Sequence, residues 1–500
     1  MAAIRSIAAG ACISGILAMG LVWAAAAPTQ PAAGSSAVNH PAAASTATPA
    51  TAEPSAGGGE AAHRDPLGLK FTRDYLPGTR DPGGQWMGGS ETMCLLAHGG
   101  KLFAGLGYWM DQPYAKPKGD EPWTGAQVLV KESASGPWRV DVTFGPQYLR
   151  TESLASITLT TDAKGARLAT PVTLLVAGPS DWINPDTRMA TAWIRDDTTG
   201  RWTRTDIAPE PNHAGVRSFG SHVDKVTGIH HLFAGISHGQ IYRGSYDPAA
   251  PGRVRWHAEA ELSGVGRPMA MTETGGTLYA ACGIKDDTPN SGGLFRRIDG
   301  PQPRWEMVYR WPYLLAKQGD ETMLLRGLTP VPESEGGGHT VLLGTRAFRG
   351  AIERIDPAQG HAATVELHIR PFFAKAWGLE TYGGPCLSAY NRILPATHPL
   401  TGEKIHLIGV WVNHPDPTLP PHNGAYYLVR RAAGTYEWGE VYDPEHPVPS
   451  GSGLFGTRSI EVSPFAEDGG KVFYFGGYDC AYRPSHNTAW IYRAAASPKN

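Results

Sequence analysis

Four arginines stand at the same place in a recurring phrase: Arg217-Ser218-Phe219, Arg267-Pro268-Met269, Arg326-Gly327-Leu328 and Arg458-Ser459-Ile460. A guanidinium is the side chain best shaped for two-pronged binding of carboxylate or phosphate. Four of them around one axis would make a strongly positive funnel in a chain whose net charge is only −2. Read singly, each arginine could instead tie neighbouring elements together through backbone carbonyls. A second set of groups follows a repeated glycine. It comprises Tyr108, Trp109 and Asp111, then Asp181 and Trp182, His238, Asp286, Arg346, Trp411 with His414 and His422, and Tyr478, Asp479 and His486. Aromatic rings beside hydrogen-bonding groups suit a sugar, which presents both apolar faces and hydroxyls. Trp109, Trp182, Trp411 and Tyr478 are read as ring contacts, and Arg346, His414, His422 and His486 as polar contacts. The plainer alternative is that a loop aromatic buries its own loop.

The elements that must position these groups are read from an internal repeat. An apolar strand ends in Gly seven times: Lys101–Gly105, Val172–Gly178, His231–Gly235, Thr277–Gly283, Thr340–Gly344, Ile405–Gly409 and Val472–Gly476. The steps between these glycines run from 48 to 73 residues. Each has room for about four short strands, the content of one propeller blade. A turn followed by Trp recurs before Trp138, Trp202, Trp256, Trp305 and Trp438. It reads as a hairpin into an outer strand, with the indoles packing between blades. No apolar run at helical spacing is bounded by caps, so few or no helices are expected. The expected fold is an all-β, seven-bladed β-propeller of four-stranded blades. The last blade, ending at Trp490–Arg493, has room for three strands, so Leu69–Tyr75 is expected to supply the fourth and close the ring.

Composition bounds the rest. Residues 1–27 carry a basic start, an apolar run and an alanine-rich cleavage site, which reads as a signal peptide. Residues 28–62 are Ala, Pro, Ser, Thr and Gly, a flexible tether by composition. The propeller is placed at 63–500, and the mature protein is expected to be secreted or periplasmic, monomeric and off the membrane. A nucleic-acid partner would ask for a clearly basic chain. Cys94, Cys282, Cys386 and Cys480 form no CxxC pair, so zinc is not expected, and they are read as disulfides or buried thiols. No cofactor is assigned and a structural cation such as calcium is left open. His222 and Asp224 beside His230 and His231 are read as structural, not as metal ligands.

Several phrases resemble a known family. They are Gly107-Tyr108-Trp109-Met110-Asp111, Asp224-Lys225-Val226-Thr227-Gly228, Ser245-Tyr246-Asp247-Pro248, and Tyr478-Asp479-Cys480 with Pro484 through Trp490. They are similar to secreted seven-bladed polysaccharide lyases, in particular those that cleave rhamnosyl-glucuronate ends of arabinogalactan-type glycans. The resemblance implies an acidic polysaccharide or oligosaccharide as substrate and β-elimination at a uronate. That chemistry needs a cation on the carboxylate, a base for the C5 proton and an acid for the departing O4. The repeat assigns Arg217 to the first task. His238 and Tyr108 are the candidates for base and acid, in either order, and Arg267, Arg326 and Arg458 complete the cationic set. Two rivals stand beside this reading. One is a glycoside hydrolase using two of Asp111, Asp181, Asp286 and Asp479. The other is a propeller that binds an anionic glycan or a protein without cleaving it.

Overall fold

The structure, a computed structural model, describes residues 64–108, 122–181, 189–208, 215–284, 292–311, 325–333, 340–346, 350–383, 386–388, 392–412, 425–442, 454, 456–478 and 486–497. The signal peptide and tether expected at 1–62 lie outside these residues. No helix among them is long and apolar enough to cross a membrane.

The repeated phrase is the second strand of each blade. In Lys101–Gly107, His230–Ile236 and Val472–Tyr478 nearly every residue is buried. Such a strand reads as an unbroken apolar run because neighbouring blades cover both of its faces. Outer strands such as Arg201–Asp206 are mostly exposed on one side. Blade 1 runs Glu91–His98, Lys101–Gly107, Ala126–Lys131, Arg139–Gly145, and blade 2 runs Tyr148–Thr161, Arg167–Asp181, Thr191–Asp196, Arg201–Asp206. Blades 3, 4 and 5 are separate antiparallel sheets of four strands, opening at Val216–Val223, Val265–Thr274 and Leu325–Pro332. In blade 6 the inner strand is split into Cys386–Ser388 and Leu394–Thr397, both paired with Lys404–Val412. Blade 7 starts with Gly456–Val462, Val472–Tyr478 and Trp490–Ala496 and takes Leu69–Tyr75 as its fourth strand, with Leu69 opposite Ala496 and Phe71 opposite Ala494. The chain is an all-β, seven-bladed propeller closed by its amino-terminal strand. Among the described residues one α-helix, Ile369–Ala376, follows blade 5 and precedes blade 6 in the chain.

The recurring glycine has a steric reason. A Cβ on Gly105 would lie 2.9 Å from Thr151, on Gly178 2.7 Å from Val216, on Gly235 2.8 Å from Pro268, and on Gly476 2.7 Å from Thr92. In each case the neighbour is the inner strand of the next blade. Adjacent blades meet there at backbone distance, and any side chain would separate them.

The recurring Trp has an electrostatic reason. In blade 1 Lys131 and the Trp138 indole both bond Asp74 of blade 7, at 3.1 and 2.6 Å. In blade 2 Arg195 and Trp202 both bond Asp141 of blade 1, at 2.8 and 2.6 Å. In blade 4 Arg297 and Trp305 both bond Glu261, which follows the outer strand of blade 3, at 2.6 and 3.0 Å. Blade 6 uses Arg430 and the Tyr436 hydroxyl on Glu366 of blade 5. A third-strand cation and a fourth-strand aromatic donor thus converge on one acid of the preceding blade. Both carboxylate oxygens of Asp74, Asp141 and Glu261 are bonded, which offsets the cost of burying them.

Candidate functional site

The arginine set is aimed by irregularities in the inner strands. The pairing register skips one residue between Val216 and Ser218, and one between Thr457 and Ser459. The skipped residues are Arg217 and Arg458. In blade 4 the skip covers Gly266 and Arg267, and in blade 5 it follows Arg326. A bulge turns the extra side chain out of the ladder. The serine that follows faces the next blade instead: Ser218 Oγ donates to the Pro268 carbonyl at 3.0 Å, and Ser459 Oγ accepts from the Leu95 amide at 2.9 Å. Both serines tie one blade to the backbone of the next.

Blades 1 and 2 add three residues that the recurring arginine phrase does not mark. The inner strand of blade 2 skips Glu152 between Thr151 and Ser153, so Glu152 holds the position that Arg217 and Arg458 hold elsewhere. Ser153 Oγ donates to the Val216 carbonyl at 2.7 Å, as Ser218 does to Pro268. Arg150 stands just before it and Glu91 opens the inner strand of blade 1. Arg150 pairs with Glu152 at 2.8 Å and with Glu91 at 3.3 Å. Arg458 pairs with Glu91 at 3.2 Å and lies 4.1 Å from the centre of the Tyr478 ring. Arg217 pairs with Glu152 at 2.9 Å. The signal was present in the sequence: Glu152-Ser153 sits opposite Gly178 as Arg217-Ser218 sits opposite Gly235.

The group is more enclosed than a funnel. Arg150, Arg326, Arg458, Glu91 and Glu152 are buried, and Arg217 is 9% exposed. Arg267 is half-buried and is the most open of the described arginines in this group. Burial acts to raise the Glu152 carboxyl, but Arg217 and Arg150 outweigh it and hold the group below its ordinary range. Burial first, and then the guanidiniums of Arg150, Arg267 and Arg326, pull Arg217 down to about 9 against the single opposing carboxylate of Glu152. Arg217 stays charged at neutral pH, and a further anion beside it would be strongly favoured.

His238 is half-buried in the turn after His230–Ile236. Gly239 takes φ +87°, and a Cβ there would lie 1.8 Å from the Val265 carbonyl. That close approach fixes the turn against Val265 and Gly266, the two residues before Arg267.

The aromatic expectations need correction. Tyr108 is fully enclosed, shares a hydrogen bond with Thr124 Oγ1 at 3.0 Å, and stacks on Trp123 at 4.2 Å. His486 is buried, edge-on to both rings. Trp411 and Tyr478 are buried against each other, 6.3 Å between centroids. Trp411 and Tyr478 lie in their second strands and pack on each other, while Tyr108 directly follows one and is covered by Trp123, Thr124 and His486 from the segments between strands. Trp109, Trp182, His414 and His422 fall outside the described residues, as do Asp111, Asp286, Asp479 and the Arg346 side chain. Cys282 and Cys386 are buried thiols, which burial moves upward, Cys386 to about 12. His222, Asp224 and His231 join ion pairs and hydrogen bonds, and among the described residues no group of three or more His, Cys, Asp or Glu is arranged to hold a metal.

No family model matches the chain, and no curated protein matches it in sequence. Among solved structures it is similar to a lectin from Burkholderia pseudomallei, at 12% identity, with 87% of this chain and 97% of that one covered and a TM-score of 0.45. It is also similar to the WD40 domain of Neurospora crassa Pan2, at 8% identity, 88% and 98% coverage and a TM-score of 0.41. An exo-β-1,3-galactanase from Clostridium thermocellum matches at 10% identity, 86% and 97% coverage and a TM-score of 0.33.

Proposed function

We propose that the protein is an exported, carbohydrate-active propeller that binds a uronate-containing glycan at its inner-strand arginines and cleaves it by β-elimination. One observation carries the reading: among the described residues Arg217 faces one carboxylate and three guanidiniums, an arrangement that favours a further anion. A uronate carboxylate supplies that anion. Held by Arg217 and Arg267, it no longer repels the carbanion-like charge that builds up as the C5 proton leaves. His238, in the turn packed on the two residues before Arg267, is assigned as the base. The C5–H electrons form the C4=C5 bond, the C4–O bond breaks, and the departing O4 takes a proton from water. Tyr108, enclosed as it is, is not retained as the acid.

Hydrolysis asks for a protonated carboxylic acid at neutral pH. Glu152 is held ionised by Arg217 and Arg150, the wrong state for that task. The test is a panel of acidic polysaccharides incubated with the mature protein. Elimination gives an unsaturated uronate and rising ultraviolet absorbance, and neutral counterparts should be left intact. Sugar release without that absorbance, with water incorporated at the cut bond, would overturn elimination.

A further inference from the structure

A cavity of about 300 Å³ opens at the far end of blade 3 from the arginine group. The strand Val216–Val223 carries Arg217 near its start, while Thr227, in the turn beyond its end, lines the cavity. At about 3.3 Å per residue the strand sets the two places roughly 20 Å apart. This is a separate pocket, at the small end of the range for ligand sites.

Its wall is built for an anion carried on a polyol. Arg243 and Arg255 supply two guanidiniums. Arg243 bonds Glu261 at 3.0 Å through Nη1, and Arg255 bonds Asp247 through Nε and Nη2. A guanidinium has five N–H donors, so each retains capacity. His231 and His257 stand 6.3 Å apart and edge-on. Burial, then Arg243 and Arg297, push His231 down to about 3, and burial and Arg243 lower His257. Both rings are neutral at physiological pH and add hydrogen bonds without charge. His231 Nδ1 is engaged with Ser245 Oγ at 2.9 Å, which fixes the ring. The Trp256 indole donates to Thr205 Oγ1 at 3.0 Å, so its polar edge is occupied and its apolar surface borders the cavity.

We propose that this cavity is a second ligand site that takes one acidic sugar residue, with its carboxylate on Arg243 and Arg255 and its ring against Trp256. It does not depend on the arginine group of the inner strands, and the test keeps the two apart. Glucuronate, glucose and inorganic sulfate are titrated calorimetrically into the full chain, into Arg267→Gln, and into Arg267→Gln carrying Arg255→Ala and His257→Ala. The last two substitutions leave the Arg243–Glu261 pair in place. Glucuronate binding should persist in Arg267→Gln and weaken at least tenfold in the triple variant, with glucose at least tenfold weaker than glucuronate throughout. Unchanged binding in the triple variant, equal binding of glucose, or displacement by sulfate at equal affinity overturns the proposal. In the unaltered protein glucuronate should slow carbethoxylation of His257, mapped by mass spectrometry, several-fold. An unchanged rate overturns it as well, whatever happens to the fold of the variants.

Discussion

Arg297 and Arg217 are both buried arginines held by acids, yet their surroundings are opposite. Arg297 meets Asp224 at 2.8 Å, Glu261 at 2.6 Å and Asp299 at 2.5 Å. Burial alone would lower it, but Glu261 and Asp224 outweigh that and raise it. Arg217 meets one acid, and other guanidiniums add to the effect of burial. The first arrangement is electrostatically complete and belongs to the framework between blades 3 and 4. In the second, among the described residues, one acid stands against several guanidiniums, so an added anion would be favoured there. The position of an arginine in a repeat does not distinguish the two; the number of acids around it does.

The comparison breaks most sharply at Arg297. Arg297→Ala leaves Asp224 and Glu261 buried without their main counter-ion, a loss of about 3–5 kcal/mol for a broken buried cluster. Urea unfolding should show it as a large drop in midpoint, or as failure to accumulate folded protein.

Acid should reveal the same asymmetry. Burial acts to raise Asp224, but the amides of Thr227, Gly300 and Val226 and the Arg297 guanidinium hold it far below its ordinary range. A carboxyl depressed in the folded state contributes stability above its unfolded value of about 4, and that stability is lost as pH falls below it. The urea midpoint should therefore fall steeply below about pH 4, and Asp224→Asn should flatten that slope while lowering the midpoint at pH 7. An unchanged acid profile in the variant would remove Asp224 from the account.

A smaller effect is expected at the aromatic member of the clamp. Trp305→Phe keeps the ring and deletes the donor to Glu261 at 3.0 Å. A lost hydrogen bond to a charged group costs about 1.5–3 kcal/mol. Because Arg297 and Arg243 still hold Glu261, the cost should fall at the low end of that range, with glycan binding unaltered in the same preparation.

The architecture was legible because its cause is local. Gly105, Gly178, Gly235, Gly409 and Gly476 mark places where one blade's second strand touches the next blade's inner strand, and Trp138, Trp202, Trp256 and Trp305 mark inter-blade bonds. The short last blade pointed correctly to Leu69–Tyr75. The candidate site was legible only in part. Arg267 and Arg326 both act on Arg217 and lower it. Glu152 escaped notice because it breaks the arginine pattern while keeping the bulge, and Arg150 and Glu91 because they pair across blades. Tyr108 and Trp411 were misread for a different reason. Periodicity says that a strand ends near them, but not whether its last aromatic turns into a loop or stays between two sheets.

The central claim is that the arginine group binds an anion, and Arg217→Met tests it most directly. Affinity for an acidic oligosaccharide and unfolding free energy are measured side by side on the same variant. Removing one partner of a buried pair is costly when the other is left without a counter-ion, but Glu152 keeps Arg150 at 2.8 Å, and Arg217 is itself crowded by other guanidiniums. The account predicts an affinity loss of about a hundredfold or more, matching roughly 3 kcal/mol for one charge-assisted contact, with stability within about 1 kcal/mol of the parent. A collapse in stability with affinity unchanged would contradict it, and would place Arg217 with Arg297 in the framework.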